Sequence, residues 1–114
     1  MKIQILSAIC PAFFAAVIAS GSAQVPDTHA AEQAGAVLFH DNCARCHGAN
    51  LEGSKKGPAL AEIRTKKHWT DDRITNRILN GEGKMPPFRD SLHTDQIQQL
   101  IAYLRAENRP APPQ

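Results

Sequence analysis

Large aromatic side chains are scarce in this sequence, with one Trp, one Tyr and four Phe among 114 residues. Cysteine is scarcer still, three in all, and neither charge dominates, the formal net charge being +2. So small a basic balance argues against nucleic acid as a partner, because phosphate binding calls for a pronounced cationic excess. No stretch alternates apolar and polar residues as a half-buried strand would, and no internal repeat is present. The length allows one small domain at most, which excludes a large catalytic barrel or a doubly wound sheet.

An apolar run of membrane-spanning length is also missing. The longest, Ile5 to Ala19, is shorter than the roughly 20 residues that a bilayer helix needs. Lys2 precedes it, and Gly21-Ser22-Ala23 follows, with small residues at −3 and −1 of a cut before Gln24. That pattern predicts a cleaved secretory signal peptide over residues 1–23, a retained anchor being the rival reading. Cys10 lies inside it as a small hydrophobe. Residues 24–114 remain, 91 of the 114, and the loss of Lys2 lowers the net charge to +1. A domain of that size buries a modest share of its surface and commonly leans on a crosslink, a metal or a cofactor. Its two cysteines, Cys43 and Cys46, would enter a compartment that favours oxidised thiols.

What is there reads as helices and loops. Residues 24–29 form a flexible arm. Good helix formers dominate from Ala30 to His40, where Val37, Leu38 and Phe39 supply apolar surface. Asn50 to Pro58 has loop composition, and a short helical turn is expected around Ala59 to Ile63. Thr70, followed by Asp71 and Asp72, caps a helix with an apolar face of Ile74, Ile78 and Leu79, and Gly81 stops it. Gly81 to Asp90 carries Gly83, Pro86 and Pro87, so it is a loop. Thr94 caps a last helix, with Ile97, Leu100, Ile101 and Leu104 at i, i+3, i+4 and i+7. Arg105 and Arg109 lie near its negative end, and residues 110–114 form a Pro-rich tail. The class is all-α, in one domain over residues 24–114.

Cys43-Ala44-Arg45-Cys46-His47 is the strongest chemical signal, a C-x-x-C-H run. Two thiols one helical turn apart can add to the two vinyl groups of a haem, and the adjacent imidazole then reaches the iron. Structural zinc would need four ligands, and no second Cys/His pair follows. A redox dithiol belongs in a βαβ setting that is absent here, and a plain disulfide would leave His47 without a role. Met85 is the single methionine left after Met1, and it stands in Gly83-Lys84-Met85-Pro86-Pro87-Phe88. Two prolines stiffen that loop, so it can hold a weak thioether against iron, whereas the bland alternative is a flexible core filler. His29, His40, His68 and His93 have no comparable context and read as solvated surface residues.

With these residues in place, nearly the whole of 24–114 resembles the class I cytochromes c. The C-x-x-C-H run lies near the end of the first helix and Met85 in a late loop, in that family's order. Gly35 and Phe39 stand eight and four residues before Cys43, where the family packs its first helix on its last. Leu100 and Tyr103 match the partner positions, and Gly57-Pro58 matches the loop whose proline carbonyl accepts the proximal imidazole N–H. The resemblance implies three or more main helices wrapped around one covalently attached haem c, with the terminal helices packed together. It implies thioether attachment at Cys43 and Cys46, His47 as proximal and Met85 as distal iron ligand, and Pro58 as acceptor for His47. Trp69 would contact a haem propionate, or else serve core packing.

The function implied is that of a soluble periplasmic electron carrier and not an enzyme. It would shuttle single electrons between a dehydrogenase or quinol-oxidising complex and a terminal oxidase or reductase. Two rivals stay open: a dedicated haem subunit of a quinoprotein dehydrogenase, and a ligand-binding or peroxidase haem protein with a labile Met85. The chain is shorter than mitochondrial members and lacks their lysine excess. Charge is nonetheless uneven, −3 over residues 24–53, +4 over 54–77 and 0 over 78–114. The middle segment is therefore expected either to be a solvated basic face or to steer an acidic partner.

Overall fold

Asp27 caps the first helix by accepting a hydrogen bond from the His29 amide at 3.1 Å, satisfying one of the orphan donors of a helix start. The computed structural model describes residues 27–111, so the expected signal peptide and most of the Pro-rich tail lie outside the described residues. Helix α1 runs Thr28–Asn42. The flexible arm expected over 24–29 is thus corrected at its end: Asp27 is a cap, and Thr28 and His29 are helical. Cys43, with φ −120°, breaks the helix, and a single further turn, α2, spans Ala44–His47. The C-x-x-C-H run therefore sits on its own turn just past the first helix.

Helix α3, Asp71–Asn80, starts as the sequence predicts, with Thr70 Oγ1 accepting from the Arg73 amide at 3.2 Å and two acids in the first turn. The last helix, α4, covers Thr94–Arg105. Here the cap is His93 rather than the expected Thr94, because the Gln96 side chain reaches back to accept the His93 N–H at 2.9 Å. Arg105 ends α4 ahead of Pro110, Ala106 having turned to extended backbone. The helical turn expected around Ala59 to Ile63 is replaced by hydrogen-bonded turns, including Ile63 N–H to Leu60 O and Thr65 N–H to Glu62 O. No strand occurs among the described residues, only an isolated bridge between Glu82 and Met85.

The main packing contact joins α1 to α4. Gly35 is the reason they come so close, since a Cβ there would stand 2.1 Å from Gln99 O and 2.8 Å from Tyr103 Cβ. One turn on, the Phe39 and Tyr103 rings meet with centroids 5.4 Å apart and planes tilted 42°, an arrangement aromatic pairs favour. Ala36, Ile97, Leu100, Ile101 and Leu104 complete this buried seam. Val37 does not join it. It is 46% exposed, because the helix turns that position away from α4. Burial pushes the Tyr103 phenol above its ordinary range, against a smaller lowering by Arg109.

Arg105 fixes the far end of α4. Its guanidinium donates to Ile63 O at 2.9 Å and to Asp71 Oδ1 at 2.9 Å, and it also donates to Trp69 O. One side chain thereby ties the 60s turns, the start of α3 and α4 together. A methyl group at position 35 must force α1 and α4 apart. Gly35→Ala should cost about 1–3 kcal/mol, the usual range for overpacking a tight interface, against the opposite sign expected from helix propensity alone. Chemical denaturation of the holoprotein measures this, and a variant as stable as the wild type would show that the crossing is not tight.

Candidate haem site

The elements close around a space of about 910 Å³. Phe39, Cys43, Cys46 and His47 form one part of its wall; Pro58, Leu60, Ile63 and Trp69 another; Ile74, Ile78, Met85, Phe88, Leu100 and Leu104 the rest. Protein cores rarely hold voids larger than a water molecule, and a space of this size with a mostly apolar lining is a ligand site. All six residues singled out in the sequence, Cys43, Cys46, His47, Pro58, Trp69 and Met85, line it. His29, His40, His68 and His93 are exposed and lie outside its wall.

His47 is buried, with Nδ1 at 2.8 Å from Pro58 O. A carbonyl can only accept, so Nδ1 carries the proton and Nε2 keeps its lone pair. Gly57 lets the loop approach, since a Cβ there would lie 3.2 Å from His47 Cε1. Further bonds hold the turn: Ser54 Oγ donates to Cys46 O at 2.6 Å and the Gly53 amide to His47 O at 2.7 Å. Leu51 is 1% exposed yet has φ +63°, a strained conformation for a branched residue that burial keeps in place. Composition marks residues 50–58 as loop without revealing that strain.

No disulfide joins Cys43 and Cys46. Burial, with Cys46 adding to it, pushes the Cys43 thiol up to about 12. Among the described residues no cluster of three His, Cys, Asp or Glu could hold a metal ion, so the four-ligand zinc reading finds no support. The donor set instead suits a haem: two thiols one helical turn apart, an imidazole with its Nε2 turned from the Pro58 bond, a thioether and an apolar surround.

Met85 is held by the turn it stands in. Its amide donates to Glu82 O at 3.0 Å and its carbonyl accepts from the Glu82 amide at 3.2 Å. Gly81 makes the turn possible with φ +66° and ψ −178°, a region open in practice only to glycine. A Cβ at Gly81 would stand 2.3 Å from Met85 O. Beyond Met85, the Phe88 amide donates to Ile78 O at 3.0 Å. Trp69 is half-buried, and the guanidinium carbons of Arg73 and Arg77 sit 5.1 and 5.4 Å from its ring centroid. Arg77 also lines the cavity, a position that nothing in its sequence neighbourhood signals.

An all-α chain with terminal helices crossed at a glycine, and a C-x-x-C-H turn facing an apolar cavity, is a c-type cytochrome, the electron-transfer class of haem protein. Residues 30–104 match the family described as cytochrome C oxidase, cbb3-type, subunit III, and the chain belongs to that family, whose members carry covalently attached haem c. It is similar to cytochrome c6 of Leptolyngbya boryana, 36% identical over 74 residues, covering 62% of this chain and 86% of that one. The fold is similar to that of cytochrome cL from Methylophaga aminisulfidivorans, with a TM-score of 0.60 and 32% identity, covering 68% of this chain. It also resembles part of the quinohemoprotein alcohol dehydrogenase ADHIIG from Pseudomonas putida HK5, with a TM-score of 0.58 and 28% identity, covering 73% of this chain. The chain spans 55% of the cytochrome cL chain and 12% of the dehydrogenase. No helix among the described residues is long and apolar enough to cross a membrane.

The Gly81 turn gives a test of how Met85 is placed. Gly81→Ala should cost about 1–3 kcal/mol through backbone strain. It should also move the amide resonances of residues 82–88 while leaving those of the α1–α4 seam in place. Unchanged loop resonances and stability would show that the turn tolerates a side chain.

Proposed function

We propose that this chain is a periplasmic single-electron carrier, exported by the leader over residues 1–23. It would link a dehydrogenase or quinol-oxidising complex to a terminal oxidase or reductase. The observation that carries the reading is that one apolar cavity gathers Cys43, Cys46, His47 and Met85. Cys43 and Cys46 are the thioether attachment points, His47 Nε2 the proximal ligand and the Met85 sulfur the distal one. Bound haem c supplies a reversible one-electron change at its iron. The protein's part is to bind, orient and exclude water.

Each residue has a task in that scheme. The Pro58 carbonyl fixes the imidazole plane and, by accepting the Nδ1 proton, makes His47 a stronger donor. With an imidazole and a thioether as its protein ligands, the iron would favour the reduced state more than with oxygen ligands, which would raise the potential. Phe39, Ile74, Ile78, Leu100 and Leu104 keep the surroundings apolar. Trp69, on the cavity wall, would offer its indole N–H to a propionate.

Docking falls to the basic middle segment. Arg64, Lys66 and Arg77 of that segment are paired with Glu107, Glu62 and Glu82. Lys55, Lys56, Lys67 and Arg73 form no such pair among the described residues, and they would steer an acidic partner mainly through association rate. The likeness to part of a quinohemoprotein dehydrogenase supports a second reading, that the chain serves as the dedicated haem subunit of a dehydrogenase.

Met85→Ala tests the site directly. The variant should keep its covalent haem, lose the sulfur-to-iron band of the ferric spectrum, fall in potential and gain carbon monoxide binding. Were Met85 only core filler, the change would cost about 2–5 kcal/mol of stability and leave the iron spectrum alone. An unchanged low-spin spectrum with an unchanged potential removes Met85 from the site.

A further inference from the structure

Arg77 sits where three parts of the site meet. Its guanidinium lies 5.4 Å from the Trp69 ring centroid, its Nη1 is 2.5 Å from Glu82 Oε2, and its side chain lines the cavity. Glu82 opens the loop that carries Met85, and both backbone bonds of the bridge tie the two residues together. A displacement of Glu82 is therefore passed to Met85 through a tight turn and not through soft side-chain packing.

The loop is anchored unevenly. Its far limb is bound to α3 through the Phe88 amide on Ile78 O and through Arg89, which donates to Leu79 O and to the Asn80 side chain. Its near limb, residues 82–84, is exposed, and a Cβ at Gly83 would find nothing within 4 Å. Among the described residues, the Arg77–Glu82 pair is the one side-chain tie on that limb. Arginine suits the position because its planar fork can lie on an indole and meet a carboxylate at once, which an ammonium cannot do. Arg73 already covers the indole at 5.1 Å, so stacking on Trp69 alone does not require Arg77.

We infer that Arg77 is a positioning residue for the distal side of the haem site: it clamps the near limb of the Met85 loop to α3 and Trp69, and so sets how often Met85 leaves the iron. This rests on Met85 being the distal ligand. The clamp acts on the rate of ligand loss, a property distinct from the global stability of the fold.

Imidazole binding to the ferric holoprotein reads that rate, because at saturating imidazole the reaction waits for the protein's own ligand to depart. Arg77→Ala and Glu82→Gln should each raise the limiting rate about fivefold, equivalent to ~1 kcal/mol, the upper end for an exposed ion pair. The double variant should be no faster than the singles, since both remove one interaction. Arg77→Lys should fall between Arg77→Ala and the wild type. Glu82 is 66% exposed, so Glu82→Gln should fold as the wild type does and lose no more stability than the fivefold rate change corresponds to, which keeps the test open should Arg77→Ala fold poorly. An unchanged limiting rate in Glu82→Gln, or a double variant whose effect is the product of the singles, overturns the clamp. Met85→Ala separates the two claims. If it retains the wild-type plateau, the ligand assignment falls and the clamp with it. If its plateau vanishes while the Arg77 and Glu82 variants stay at the wild-type rate, the clamp alone falls.

Discussion

The interior of this protein is shared between its own buried side chains and the group its cavity would hold. A cavity of about 910 Å³ lies against the buried α1–α4 seam, and α1, α3 and α4 contribute apolar side chains to its wall. The hydrophobic effect stabilises only surface that is removed from water, so the apolar faces of a bound haem would add to what the wall side chains bury among themselves. The scarcity of aromatic residues belongs to the same constraint. The large apolar body that completes the interior is one the chain holds and does not encode, and its covalent attachment would act further as a crosslink that narrows the unfolded ensemble.

Two devices set the shape of that hollow. The Gly35 crossing brings α1 and α4 within backbone contact, and the Phe39–Tyr103 pair behind it gives the cavity a rigid back wall. The loops supply the other walls, each stiffened in its own way. Around His47 the stiffness comes from backbone bonds and a strained, buried Leu51; around Met85 it comes from a glycine-only turn and two prolines. A rigid pocket suits electron exchange, because groups that scarcely move when charge changes add little to the barrier. Such rigidity is costly on a loop, and it is concentrated where the proposed ligands stand.

How much of this was legible in the sequence follows from the range of each interaction. The C-x-x-C-H turn, the Thr70 cap with its acidic first turn, the Gly81 stop and the periodic face of α4 are local patterns, and each is placed as expected. The glycine crossing was legible only through the resemblance to the class I cytochromes c, because no local signal tells a packing glycine from a weak one. Asp27 as a cap was missed because Pro26 and Asp27 read equally well as loop. The His93 cap was missed because a reach-back from Gln96 outweighed the intrinsic preference for Thr. Arg77 and Arg105 were missed as organising residues for a different reason. Arg105 finds its partners 34 to 42 positions away, and Arg77 acts between a tryptophan before α3 and a loop after it. Such pairings exist only once the fold is made.

The dependence of the fold on what fills the cavity is open to one direct measurement. Cys43 and Cys46 can both be changed to Ser, and the haem-free product followed by circular dichroism through a denaturant titration, with limited proteolysis alongside. The expected result is a largely unfolded chain with no cooperative transition and rapid digestion. A cooperative, protease-resistant, haem-free protein would contradict it, and would mean that the α1–α4 seam sustains the fold alone.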